Sequence, residues 1–175
     1  MKLRILLLGG LVLAASCAPK AERPPPQQPV QQPVRQPAIP VPPRVEDWRD
    51  LPLTPGAWFY SSPADGSQAL FGPANSEAYF IVRCDRAKRQ IVLSREGVTS
   101  GNMMTVRTTS AARNFPLSVQ TEPLQYVFAT TGASDRFLDE IAFSRGRFTI
   151  QVPGMPMLVL PAWPEPARVI EDCRG

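Results

Sequence analysis

Ten of the 21 prolines in this 175-residue chain lie within residues 18–47, interleaved with five glutamines and few apolar side chains larger than Val. Each proline lacks a backbone N–H and has a fixed φ, so the stretch cannot run on as a helix or pair as a central strand. It also has too little apolar surface to offset the entropy of ordering. The expectation is a disordered tether with polyproline II bias, reaching at most roughly 90 Å if its residues extend at about 3.1 Å each. Pro40-Val41-Pro42-Pro43 could instead dock a partner, but a spacer is the simpler expectation. The folded unit must then be residues 48–175, enough for one core.

What precedes the tether points to a place in the cell. Met1-Lys2-Leu3-Arg4 is a short positive segment, and residues 5–13 are apolar but too few to span a bilayer. Leu13-Ala14-Ala15-Ser16-Cys17 ends in small residues before a cysteine. This resembles the lipobox of bacterial lipoproteins, with Ala14 where many have Leu. The resemblance implies cleavage of a signal peptide at residues 1–16 and lipid attachment at Cys17; the alternative is ordinary cleavage nearby with Cys17 incidental. Ala18 rather than Asp after the cysteine leans, by resemblance to enteric sorting signals, towards the outer membrane. Each buried acyl methylene contributes about 0.8 kcal/mol, so two or three chains would hold a small domain at the bilayer.

The formal charge of +4 is mostly a property of these leading segments. From residue 48 onwards there are thirteen Lys or Arg against twelve Asp or Glu. That balance gives no support for nucleic-acid binding. The chain has no histidine. A His general base, a Ser-His-Asp or Cys-His nucleophile and a His-containing zinc site are therefore all excluded, and no metal or cofactor is expected.

Period-two patterning predicts strands at residues 57–61, 68–72, 78–84, 89–94, 103–109, 114–120, 124–130, 147–152 and 157–160, separated by Pro-, Gly- and Asp-containing turns. Phe80, Val82 and Cys84 should share one strand face, as should Phe148, Ile150 and Val152. Ser134 is placed to cap a helix with Phe137, Leu138, Ile141 and Ala142 on one stripe, and residues 164–173 should form a C-terminal helix with Val169 and Ile170 inward. The expected fold is mainly β: a small antiparallel sandwich or partly open barrel with one internal and one C-terminal short helix.

With Cys17 lipidated, Cys84 and Cys173 remain in an oxidising compartment and should form one disulfide. A redox pair is the alternative, but such pairs usually have Cys-x-x-Cys spacing. Closing a loop of about 90 residues would stabilise the fold by roughly 4 to 4.7 kcal/mol.

Residues 141–148 (Ile-Ala-Phe-Ser-Arg-Gly-Arg-Phe), 160–165 (Leu-Pro-Ala-Trp-Pro-Glu) and 168–174 (Arg-Val-Ile-Glu-Asp-Cys-Arg) resemble a group of uncharacterised alphaproteobacterial lipoproteins. The likeness covers the C-terminal third best, with Asp47-Trp48-Arg49 and Trp58 as weaker matches. It implies no activity. A strand ending in Cys-Asp, hairpins, and a terminal helix with cysteine also look, more distantly, like small periplasmic β-domains of invasion-associated and secretion-accessory proteins. Lipoprotein inhibitors of lysozyme pair cysteines in a similar way, but their Ser-Gly-x-x-Tyr loop is absent.

Three groups of residues are candidate sites. For catalysis, Ser144 lacks a nucleophile-elbow context and a histidine, Lys88 is the domain's only lysine, and Asp135, Asp139 and Glu140 could form an acid–base pair. Helix-end placement of Asp135 and an Arg136–Glu140 pair explain these carboxylates more simply, so no enzyme is expected. For anion binding, Arg83, Arg86, Lys88, Arg89 and Arg95 lie on or beside one hairpin, while Arg145 and Arg147 flank Gly146. They could grip phosphates or carboxylates, although Asp85 and Glu96 interleave and a solvated face is the commoner outcome. Of the aromatics, Trp58-Phe59-Tyr60 must point to both faces of a strand, and Trp163 should wedge the last helix against the sheet. The function expected is a lipid-anchored envelope protein with a non-catalytic binding or accessory domain. Its partner would be an envelope protein or, alternatively, an anionic glycan or lipid such as peptidoglycan or lipopolysaccharide.

Overall fold

The computed structural model describes residues 47–121 and 123–175. Cys17, the signal peptide and nearly all of the proline-rich stretch lie outside the described residues.

The chain builds two antiparallel sheets that do not close into a barrel, so the mainly β expectation holds in its sandwich form. Strands β1 (Ala57–Ser61), β2 (Gln68–Gly72), β3 (Phe80–Asp85) and β4 (Gln90–Glu96) form a meander. The chain then crosses over for the hairpin β5 (Met103–Arg107) and β6 (Ala112–Pro116), and returns for β7 (Ser118–Gln120) and β8 (Tyr126–Gly132). After helix α1 (Phe137–Ala142) it crosses again for β9 (Arg147–Gln151) and β10 (Leu158–Pro161), and it ends in helix α2 (Pro164–Arg174). The result is a six-stranded sheet, β1-β2-β3-β4-β8-β7, and a four-stranded sheet, β10-β9-β5-β6.

Alternation decides what lies between them. Phe80, Val82 and Cys84 on β3 are buried while Ile81 and Arg83 are only half-buried, the period-two signature of a sheet with one covered face. Inward residues of the opposite sheet, Met104, Val106, Phe148 and Ile150, join them in one core. Trp58 sits at the junction. Its indole Nε1 donates to the Pro161 carbonyl at 2.9 Å, and its ring packs against Phe71 and Phe80 of one sheet and stacks with Phe148 of the other.

The expected strand at 114–120 is two strands belonging to different sheets, β6 and β7. Pro116 has no N–H to extend the ladder, and the Leu117 N–H donates to the Asn102 carbonyl at the crossing. Ser134 does not cap α1. Asp135 does, its carboxylate accepting from the Phe137 N–H at 2.9 Å. The same carboxylate accepts from Thr131 on β8 and from Arg113 on β6, tying the two sheets together.

Helix α2 turns Val169, Ile170 and Cys173 inward, as expected, and packs against β3. Cys84 and Cys173 stand at disulfide-bonding distance, with their Cα atoms 5.4 Å apart. Gly66, with φ +147°, approaches this point so closely that any Cβ would overlap the Cys84 carbonyl oxygen.

Candidate functional site

Burying one face of each sheet leaves two outer faces, and the sequence treats them differently. On the four-stranded sheet the outward positions include the polar Thr105, Arg107, Thr149 and Gln151, with Val159 opposite Thr149. The segment leading into β1 runs over them, so that Trp48, 7% exposed, shares a cleft with the four polar residues. Beyond it the Thr54 N–H donates to the Val159 carbonyl and Thr54 Oγ1 accepts from the Val159 N–H, both at 2.9 Å, while Arg147 holds the Leu51 carbonyl. This cover leaves Thr149 only 2% exposed.

On the six-stranded sheet the register aligns Phe59, Leu70, Ile81, Ser94 and Phe128 in one row across five neighbouring strands. Alternation turns this row away from the core, and Phe59 is 46% exposed. At its β1–β2 end Phe59 and Leu70 share a hollow with the turn residues 73–76. The next row is polar at Gln68, Arg83 and Thr130, with Val92 between them. Ile81, Ser94 and Phe128 of the first row and the second row line an open concavity of about 380 Å³, with Ile81, Val92 and Phe128 as its apolar residues beside Gln68, Arg83, Asp85, Lys88 and Gln90. Tyr126 closes one side. Burial raises its phenol pKa, neighbouring Glu96 and Glu77 add to the shift, and its hydroxyl donates to the Ala78 carbonyl at 2.9 Å.

Of the seven cations singled out from the sequence, only Arg83 and Lys88 line this concavity. Lys88 is engaged with Asp85 at 3.3 Å, and the Lys88 N–H donates to the same carboxylate, which lies below its ordinary pKa chiefly because of that backbone bond. Arg83 is half-buried and makes no ion pair among the described residues. Arg86 is exposed in the adjoining turn beside Asp65. Arg89 takes a left-handed φ of 51° and donates to the Arg174 carbonyl at 2.9 Å, at the end of α2. Arg95 points to the other side of the sheet, where it is 9% exposed and donates to the Tyr79 and Glu96 carbonyls. Burial lowers its pKa. Arg145 and Arg147 belong to the loop and strand of the other sheet. The seven therefore do not form one face, because alternation separates Arg95 from Arg83 and the crossover separates Arg145 and Arg147 from the hairpin.

The catalytic candidates are all engaged in structure. Ser144 is buried, its hydroxyl donating to the Arg147 carbonyl at 2.6 Å and accepting from the Thr109 N–H at 3.2 Å. Asp135 is the cap already described. Asp139 pairs with Arg174 at 2.6 Å, and Glu140 accepts from the Ser110 hydroxyl rather than pairing with Arg136. Trp163 does not wedge the last helix. It is 45% exposed because the helix begins at Pro164, and its inward positions are Pro166, Val169, Ile170 and Cys173.

Sequence reasoning missed Gln68, Leu70, Ile81, Val92, Gln90 and Phe128 as site residues. Their signal was present in parity: apolar side chains stand at the outward positions of β2, β3 and β8, where a solvated face would be polar. Comparison with family models, curated proteins and solved structures gives no match for this chain.

Proposed function

We propose that this is a lipid-anchored cell-envelope protein whose domain is a non-catalytic binding or accessory module, with the outer face of the six-stranded sheet as its binding surface. Cys17 carries the lipid, residues 17–47 form the tether, and the domain faces the periplasm, held at the outer membrane. The observation that carries the binding surface is the outward apolar row Phe59, Leu70, Ile81 and Phe128, part of which lines an open concavity with Arg83, a cation that makes no salt bridge among the described residues. Apolar side chains left partly open to water on a concave face have a cost there, which is how interaction surfaces differ from ordinary surface. The entry of the chain over the opposite sheet supports the same arrangement, since it leaves this face clear of the tether's attachment point.

Two experiments test the parts separately. A photo-crosslinking residue at position 128 should capture a defined envelope component in intact cells, whereas one at position 105 should not. Equal or absent capture from both positions would overturn the binding surface. Cys17→Ser should release the protein from the membrane fraction into the periplasm, and unchanged fractionation would overturn the anchor.

A further inference from the structure

Resting on the reading of this outer face as the binding surface, we infer that its ligand is a carboxylated saccharide chain laid across the strands. Four observations converge on that chemistry. The row from Phe59 to Phe128 crosses five strands, roughly 19 Å at about 4.8 Å per strand. The concavity is open rather than enclosed, so it suits a chain passing over it. Its apolar floor, Ile81, Val92 and Phe128, is interrupted by Ser94 and bordered by flat or short polar side chains, Gln68, Gln90 and Thr130. Arg83 supplies a cation that makes no salt bridge among the described residues; the nearby Asp85 feels its charge but is bridged to Lys88.

Other ligand classes fit these features less well. An extended peptide brings unpaired backbone N–H and C=O groups, and a sheet face whose own backbone is consumed in strand pairing meets them only through side chains. An amphipathic helix needs a continuous apolar stripe, which Ser94, Gln68, Gln90 and Thr130 break up here, and an acyl chain gains from enclosure that an open face does not give. A sugar ring has an apolar C–H face and a hydroxyl edge. The first stacks on Phe128 and Ile81, and the second meets the amides of Gln68 and Gln90. The Arg83 guanidinium then takes a carboxylate on the same chain with two parallel hydrogen bonds.

The test uses two probes that share a backbone: the hexamer of N-acetylglucosamine, and a glycan strand in which alternate rings are N-acetylmuramic acid and therefore carboxylated. Each is titrated into the mature protein, with affinity from calorimetry and location from amide chemical shifts. Both should bind and perturb β2, β3 and β8, the carboxylated strand about tenfold more tightly. Arg83→Ala should abolish that tenfold difference between the probes, and Phe128→Ala should weaken both. Both side chains lie outside the core, and an unchanged thermal midpoint in each variant verifies folding. Shifts confined to other strands, or a carboxylate preference that survives Arg83→Ala, would overturn the inference. Failure of both probes alongside capture of one envelope protein from position 128 would overturn the saccharide and keep the surface. Failure of both probes with no capture would overturn the surface as well.

Discussion

The two outer faces of this sandwich have the same geometric status and differ in which large side chains they carry and in what covers them. The four-stranded sheet presents Thr105, Arg107, Thr149 and Gln151 and is covered by the Trp48 segment; the six-stranded sheet presents Phe59, Leu70, Ile81 and Phe128, with the turn residues 73–76 beside one end. On the polar face Thr149 is covered to 2% exposure while Arg107 and Gln151 stay exposed; on the apolar face Leu70, Ile81 and Phe128 are half-buried and Phe59 is 46% exposed. Folding alone explains the first, because Trp48 and the backbone bonds of Thr54 and Leu51 anchor the chain where it enters the domain. It does not explain the second, since residues outside the core are free to be polar. What differs between the faces is thus whether the side chains serve the fold or something outside it.

If the two faces have a common foundation in the core, the largest loss should come from beneath both of them. Replacing Cys84 and Cys173 together by Ser should cost about 4 to 5 kcal/mol, by the chain-entropy cost of an open 89-residue separation. Urea unfolding of the oxidised protein against the double variant measures it, and a loss under about 1 kcal/mol would mean that the core holds without the link. Removing the cover from one face should cost less. Trp48→Ala should destabilise by about 3 kcal/mol, the scale for a buried aromatic lost from a packed site, and it should expose Thr149 to hydrogen exchange. A neutral Trp48→Ala would make the cover incidental and erase the contrast between the faces.

A third, smaller effect concerns the stitch between the sheets. Burial alone would raise the pKa of Asp135, but the hydrogen bonds from Thr131, the Phe137 N–H and Arg113 outweigh it and hold the carboxyl below its ordinary value. Asp172 is also lowered, first by the Tyr60 hydroxyl at 2.6 Å. Groups depressed on folding contribute stability that is complete above the unfolded pKa of about 3.9 and is lost as pH falls through the folded value. Thermal midpoints should therefore be flat above about pH 5 and fall below about pH 4. Asp135→Asn should shallow that fall and cost about 1 to 2 kcal/mol near neutrality. An unchanged acid limb would place the acid sensitivity elsewhere.

Much of the interior was legible in the chain because strand parity is a local property. Phe80, Val82 and Cys84 alternate with polar or half-exposed neighbours, and any sheet burying one face must take them inward. The two short helices followed from period and proline placement. Legibility failed where the deciding partner is distant in sequence. Residues 114–120 have an unbroken strand pattern, yet Pro116 marks a transfer between sheets that only the pairing of β6 with β5 and of β7 with β8 reveals. Ser134 and Asp135 both suit a cap, and Arg113, about twenty residues away, favours Asp135. The outer face failed for the same reason at a larger scale. Gln68, Ile81 and Phe128 sit on strands that become neighbours through a meander and a crossover, and the hairpin arginines that stood out locally are divided by parity between two sides of one sheet.

The smallest expected effect bears most directly on what the apolar face is for. Phe59 lies at the end of the apolar row on edge strand β1, opposite Leu70. If the row served folding, Phe59→Ser would cost on the order of 3 kcal/mol, as a core aromatic does. If it serves an external ligand, the substitution should stay within about 0.5 kcal/mol of the parent, or stabilise slightly, because exposed apolar surface becomes polar and edge strands tolerate such changes. The same variant should bind the apolar probe 8-anilinonaphthalene-1-sulfonate less and should show less crosslinking from position 128. A stability loss near the core value would show that Phe59 packs for the fold, and the open face would then be an extension of the core rather than a surface kept for a partner.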